Sequence, residues 1–103
     1  MRRYRCYRVD GFPRVEVVDD KAGQWALMIS PSRKVADYYH DFDWGNTGPA
    51  VDQLALAISL EFAADKQQAF KLADLIKWSF LAQAPRIGTT ITSDQVCQLI
   101  KSL

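Results

Sequence analysis

The stretch FDWGNTGPAVDQLALAI, Phe42 to Ile58, carries the reading on which the fold rests. Its first half breaks regular structure with an aromatic–Gly turn at Trp44-Gly45, then Asn46 and Gly48. Pro49 follows directly and marks a first helical turn, where its missing N–H would have no intrahelical partner anyway. From there Val51, Leu54, Ala55, Ile58 and Phe62 fall on one stripe, and Leu56 and Leu60 fall almost opposite. A helix that is apolar on two sides is buried between layers. The stretch therefore predicts a central helix lying between a sheet and other helices, with Leu54 and Ile58 toward the sheet and Leu56 toward the helices.

Upstream, the chain alternates with a strand period. Tyr4, Cys6 and Arg8 alternate with Arg3, Arg5, Tyr7 and Val9, and Asp10-Gly11 supplies a turn. Val15 and Val17 flank Glu16 in a second strand. A polar loop, Asp19 to Gly23, leads to a third, in which Trp25, Leu27 and Ile29 alternate with Ala26 and Met28 before Ser30-Pro31. Connections this short favour an antiparallel meander. Trp25, Leu27 and Ile29 are expected on the buried face, with Arg3 and Arg5 facing water. Residues 31–48 read as a long irregular connection that packs on its own aromatics, Tyr38, Tyr39, Phe42 and Trp44.

Downstream, Asp65 with Gln68 resembles a capping box and opens a second helix to about Gln83, striped by Leu72, Ile76 and Phe80. Thr92 with Gln95 repeats the pattern, and Val96, Leu99, Ile100 and Leu103 give a last apolar face. The expected fold is one α+β domain over residues 1–103. It has an N-terminal three-stranded antiparallel sheet (roughly 3–30), a loop (31–48), and two long helices and one short C-terminal helix (49–103).

Composition agrees with an ordinary soluble domain: of 103 residues, 49% are apolar and 24% charged, enough for one core. No apolar run approaches the ~20 residues of a membrane span. The basic start MRRYRCYRVDGF lacks the apolar segment of a secretory signal. Cys6 and Cys97 have no metal-ligand spacing and read as free thiols of a reducing cytoplasm.

No catalytic constellation is visible. His40 is the only histidine, and neither cysteine has a local feature that would activate it. His40-Asp41-Phe42-Asp43 lacks the regular spacing and glycine of a cation loop, so no metal is expected. Gly45-Asn46-Thr47-Gly48 before a helix invites a phosphate reading. Pro49 removes a donor there, and Asp52 brings its own carboxylate to the helix dipole, so the turn reads as structural and no cofactor is expected.

Charge is the more informative signal. The net value is +1, yet Arg2, Arg3, Arg5, Arg8 and Arg14 crowd the first 14 residues. Residues 37–65 hold six acids and no Lys or Arg. Tyr38, Tyr39, Asp41 and Asp43 are therefore the candidate partner-binding residues, suited to a basic protein surface. The competing expectation is internal pairing of these acids with Arg3, Arg5 or Arg8, the loop being held down by Phe42 and Trp44. The second candidate surface, for nucleic acid, is Arg3, Arg5 and Tyr7 on the first strand.

Asp43-Trp44-Gly45, Gly48-Pro49-Ala50 and Leu54-Ala55-Leu56-Ala57-Ile58 together resemble an uncharacterised family of small phage- and plasmid-borne proteins. The likeness extends to Tyr4–Arg8, Phe70-Lys71 and Ile91-Thr92, although the turn Gly-Asn-Thr-Gly is shorter here than the family's Gly-rich turn. The resemblance carries no activity. It implies a mobile-element setting and a cytoplasmic site of action. The expected function is a non-enzymatic protein-interaction module, in its most concrete form an inhibitor of a host nucleic-acid-targeting defence complex, like an anti-CRISPR protein. Its partner would be a host protein or protein–nucleic-acid complex with a basic surface. The alternative is a small nucleic-acid- or nucleotide-binding protein using the first strand.

Overall fold

The computed structural model describes residues 1–103. Strands β1 (Arg2–Val9) and β2 (Phe12–Asp19) form a hairpin closed by Asp10-Gly11. Both turn residues have positive φ, 52° and 82°, the backbone twist that a two-residue hairpin requires. Strand β3 (Gly23–Ala26) adds to β2, and helix α1 (Ser30–Val35) follows it. Then come α2 (Pro49–Ser59), α3 (Lys66–Ile76) with a π-helical turn at Lys77–Leu81, β4 (Gly88–Thr92) and α4 (Ser93–Ile100). The sheet is antiparallel throughout, in the order β3-β2-β1-β4.

The α+β architecture agrees with expectation, but the sheet has four strands rather than three. The additional strand lies inside the region read as wholly helical, 49–103. Thr89-Thr90-Ile91-Thr92 is a β-branched run, but it is short and runs straight into a helix cap. Its partner, β1, lies more than 80 residues upstream. The connection 31–48 is also less irregular than expected, because Pro31 opens α1 instead of ending regular structure.

Cross-strand partners share a face, so the register assigns each side of the sheet. Tyr4, Cys6, Val15, Val17 and Ile91 are buried and share one core with Trp44, Val51, Leu54, Ile58, Leu72, Ile76, Leu81 and Val96. Leu54, Leu56 and Ile58 are all fully buried; Leu54 and Ile58 belong to that core, and Leu56 lies outside it. The expected burial of Trp25, Leu27 and Ile29 is corrected. The strand stops at Ala26, Trp25 is 37% exposed at the sheet edge, and Leu27 and Ile29 only flank the core. Trp25 instead lies beneath the Arg2 guanidinium, 5.1 Å from its ring centroid.

The DWGNTGP segment is fastened residue by residue. The Trp44 ring is fully buried and its Nε1–H donates to the Pro85 carbonyl at 3.1 Å. The Gly45 N–H donates to the Leu81 carbonyl at 2.8 Å. Gly45 has φ +80°, and a Cβ there would approach the Ala84 carbonyl oxygen to 3.0 Å, so glycine is required on two counts. Asn46 accepts from the Gly48 N–H at 2.8 Å and donates to Asp43 at 3.0 Å. Asp52 pairs with Lys77 of the π turn at 2.7 Å.

Two arginines of β1 reach the segments flanking α2. Arg8 lies 4.6 Å from the Trp44 ring centroid and donates to Asp43 at 2.8 Å and to the Arg86 carbonyl at 2.6 Å. Arg2 donates to Glu61 at 3.1 Å and to Asp19 at 3.2 Å. The fully buried Tyr4 adds a hydroxyl bond to Glu61, and its ring meets Phe62 edge-on. Burial by itself would raise the Asp43 carboxyl pKa. Hydrogen bonds from Arg8, the Trp44 backbone and Asn46 outweigh burial and hold it below the usual range.

Leu54→Ala leaves a cavity at the centre of this core and is expected to cost about 2–5 kcal/mol in a denaturant melt. A depressed native pKa at Asp43 contributes stability above the unfolded carboxylate value, about 3.9, and loses it as pH falls through the native one. Asp43→Asn is therefore expected to destabilise most near neutrality. Its stability difference from the parent should narrow below about pH 4 in parallel acid titrations followed by circular dichroism.

Candidate functional site

The side chain that organises the surface is one the sequence reading passed over, Gln53. It sits fully buried in α2 with every amide position used. Its Nε2 donates to Ser32 Oγ at 2.9 Å and to the Ala36 carbonyl at 3.0 Å. Its Oε1 accepts from the backbone N–H groups of Tyr38 and Tyr39, at 2.7 and 3.1 Å. A single amide thus ties α1 and the following loop to the central helix, because a buried polar group is tolerated only when paired. A lone glutamine among the apolar positions 51–58 was the available signal.

With their backbone held from beneath, the two tyrosines face outward. Tyr38 and Tyr39 are 44% and 41% exposed, and Tyr39 stacks on His40 with ring centroids 4.2 Å apart. Tyr38 borders a cleft of about 100 Å³ together with Phe70, Asp74 and Lys77 of the helix after α2. Phe70 and Trp78 are 41% and 52% exposed. Trp78 donates to Asp74 at 3.2 Å, and the Lys77 ammonium lies 4.9 Å from its ring centroid. Phe70, Asp74 and Trp78 are spaced by four and so share one helix face. Tyr38 of the 36–41 loop and Phe70 of α3 thus meet at one cleft, Trp78 continues the helix face of Phe70, and Tyr39 lines the second cleft; the sequence identified only Tyr38 and Tyr39.

The acids around it have mostly found partners. Asp37 pairs with Arg33 at 2.8 Å, Asp43 with Arg8, Asp52 with Lys77 and Glu61 with Arg2. Asp65 caps α3 by accepting from the Gln68 N–H at 2.8 Å. Asp41 stays exposed without a cationic partner, on the rim of a second cleft of about 300 Å³ with Tyr39 and Phe42, and Asp65 and Asp74 are likewise exposed and bonded only to N–H groups. Asp43, placed with Asp41 in the sequence reading, is partly exposed but engaged internally. The arginine it uses is Arg8, while Arg3 and Arg5 pair with Asp20 and Glu16 on the other side of the sheet.

Cys6 is a free thiol whose pKa burial pushes up to about 12, which suppresses the thiolate. Cys97 is free and exposed. No three His, Cys, Asp or Glu side chains gather at metal-binding distance, and no helix is long and apolar enough to cross a membrane.

Gln53→Leu removes four hydrogen bonds at once and strands two N–H groups. It is expected to cost about 2–4 kcal/mol. Hydrogen exchange should show protection lost at the Tyr38 and Tyr39 amides ahead of β1 and β2.

Comparison with known proteins adds a family. No curated protein and no solved structure matches the chain. The model of a family of unknown function, DUF6166, matches residues 4–102 and so takes in the first strand, the DWGNTGP turn, the central helix and the last cap. The chain is a member of the DUF6166 family.

Proposed function

We propose that this protein is a non-enzymatic interaction module that binds a protein partner through the aromatic surface around Tyr38, Tyr39, Phe70 and Trp78. The observation that carries the reading is the assembly of exposed aromatic rings from two separate elements on a backbone fixed by Gln53. Aromatic side chains carry much of the energy of protein interfaces, and a rigid base lowers the entropy lost on docking. Asp41 gives the rim an uncompensated negative charge, and Asp43 adds a weaker contribution because Arg8 neutralises it. The fitting partner presents a basic surface with apolar recesses.

In the mobile-element setting that the resemblance implies, proteins with basic surfaces include those that handle nucleic acid. The most specific form of the reading is thus a cytoplasmic inhibitor of a host nucleic-acid-targeting defence complex, of the anti-CRISPR kind. Occluding a nucleic-acid channel needs binding alone, which accords with a chain whose buried thiol is inert and whose single histidine is stacked on Tyr39.

The test is affinity capture from a host lysate followed by titration of the recovered partner. Tyr38→Ala and Trp78→Ala are each expected to weaken binding about 10- to 100-fold, the range of interface anchors. Asp41→Lys should slow association, with an effect that shrinks as salt rises. A partner that binds the Tyr38→Ala/Trp78→Ala double variant as tightly as the parent would overturn the reading.

A further inference from the structure

The helices pack on only one side of the sheet, and the opposite side carries a different set of side chains. The register places Arg3, Arg5, Tyr7 and Val9 of β1 on that face beside Val18, Glu16, Arg14 and Phe12 of β2. Thr90 and Thr92 border it from β4, and Gln24 and Ala26 from β3. No element covers it. Phe12 is 64% exposed, and Arg5, Arg14, Gln24, Ala26 and Thr90 are exposed as well.

We propose that this open sheet face binds single-stranded nucleic acid, with Arg3, Arg5 and Arg14 on phosphates and with Tyr7 and Phe12 as stacking platforms for bases. Charge complementarity is the first argument. Three guanidiniums stand on the face against one carboxylate, Glu16, with Asp20 at the rim. The pairs Arg5–Glu16 and Arg3–Asp20, at 3.1 and 3.5 Å, are solvent-exposed. Such pairs contribute little, so a phosphate can displace them.

Placement is the second argument. Tyr7 and Phe12 lie on β1 and β2, the two central strands, and are diagonal neighbours because Tyr7 pairs with Arg14, two residues from Phe12. Diagonal positions are about 7–8 Å apart, within reach of consecutive bases of an extended strand. Four-stranded sheets that stack bases on strand aromatics are a recurrent solution to single-strand recognition, and every base offers a π-face. The Arg5 guanidinium already lies 5.6 Å from the Tyr7 ring centroid, so ring and cation form one amphipathic platform. An acidic protein segment would satisfy the arginines but leave the two rings without a matching planar group.

This inference is independent of the aromatic surface on the helix side, and one experiment separates the two. Fluorescence anisotropy of short labelled oligo(dT) and oligo(rU) is titrated with the full chain and its variants. Three phosphate contacts on a single strand predict a logarithmic salt slope of about −2, hence about 20-fold weaker binding between roughly 50 and 200 mM salt. Arg5→Ala and Arg14→Ala should each reduce the slope by about 0.7. Phe12→Ala should weaken binding about 5- to 100-fold. Glu16→Gln should tighten it by freeing Arg5. Tyr38→Ala should leave it unchanged, whatever that substitution does to partner capture. Each substituted side chain is on the surface, and circular dichroism verifies that the variants are folded. Three results would each overturn the proposal: no saturable anisotropy change, loss of binding on Tyr38→Ala with none on Phe12→Ala, or tighter binding of polyglutamate than of either oligonucleotide.

Discussion

The structure hangs on the two arginines that β1 turns toward the helices. Arg2 and Arg8 occupy the ends of one strand face, with Tyr4 and Cys6 between them. Arg8 reaches Asp43 and the Trp44 ring ahead of α2, and Arg2 reaches Glu61 just beyond it. The central helix is thereby held against the sheet at both ends by charge-assisted bonds, while Leu54 and Ile58 hold its middle by burial. A guanidinium suits this place, because it presents several donors in a plane and stacks on an aromatic face. Strand parity does the sorting: residues 2 and 8 face inward, and residues 3 and 5 face water.

This pairing changes what the acidic stretch 37–65 means. Read along the chain, six acids without a cation look like a surface awaiting a basic partner. In the fold, Arg2, Arg8, Arg33 and Lys77 arrive from other elements or an earlier turn and neutralise four of them. Asp65 caps a helix and Asp41 accepts from the next backbone N–H, and both remain exposed without a cationic side chain. The aromatic component survives better than the acidic one, because α3 and its π turn add the exposed rings of Phe70 and Trp78, which lie off the stripe read from the sequence. The surface that remains sets exposed rings beside the charged side chains Asp52, Asp74 and Lys77.

A two-layer fold gives the molecule two unlike exteriors. The helix side presents rings whose backbone is pinned through Gln53, and the bare sheet side presents guanidiniums interleaved with Tyr7 and Phe12. Neither surface contains an activated nucleophile. Cys6, which sits in the core, is held protonated by burial.

The features legible in the sequence were those decided within a turn or two of chain. Pro49 opening α2, the caps at Asp65 and Thr92, the Asp10-Gly11 hairpin and the two-sided burial of the central helix all follow from local sterics, local hydrogen bonds and periodicity. So did the alternation that points Arg3, Arg5 and Tyr7 away from Tyr4 and Cys6. The tertiary structure decided what depends on distant partners. Thr89–Thr92 becomes a strand because β1 offers it an open edge. Trp25 stays half in water because its strand is the outermost. Asp43 is drawn inward by an arginine 35 residues away, and Trp44 by a carbonyl 41 residues away. Gln53 is satisfied by groups on α1 and on the loop after it. Local propensity acts on a residue and its near neighbours, whereas burial and charge pairing act on whatever the completed fold brings into reach. The elements were therefore readable in the chain, and the surfaces they assemble were not.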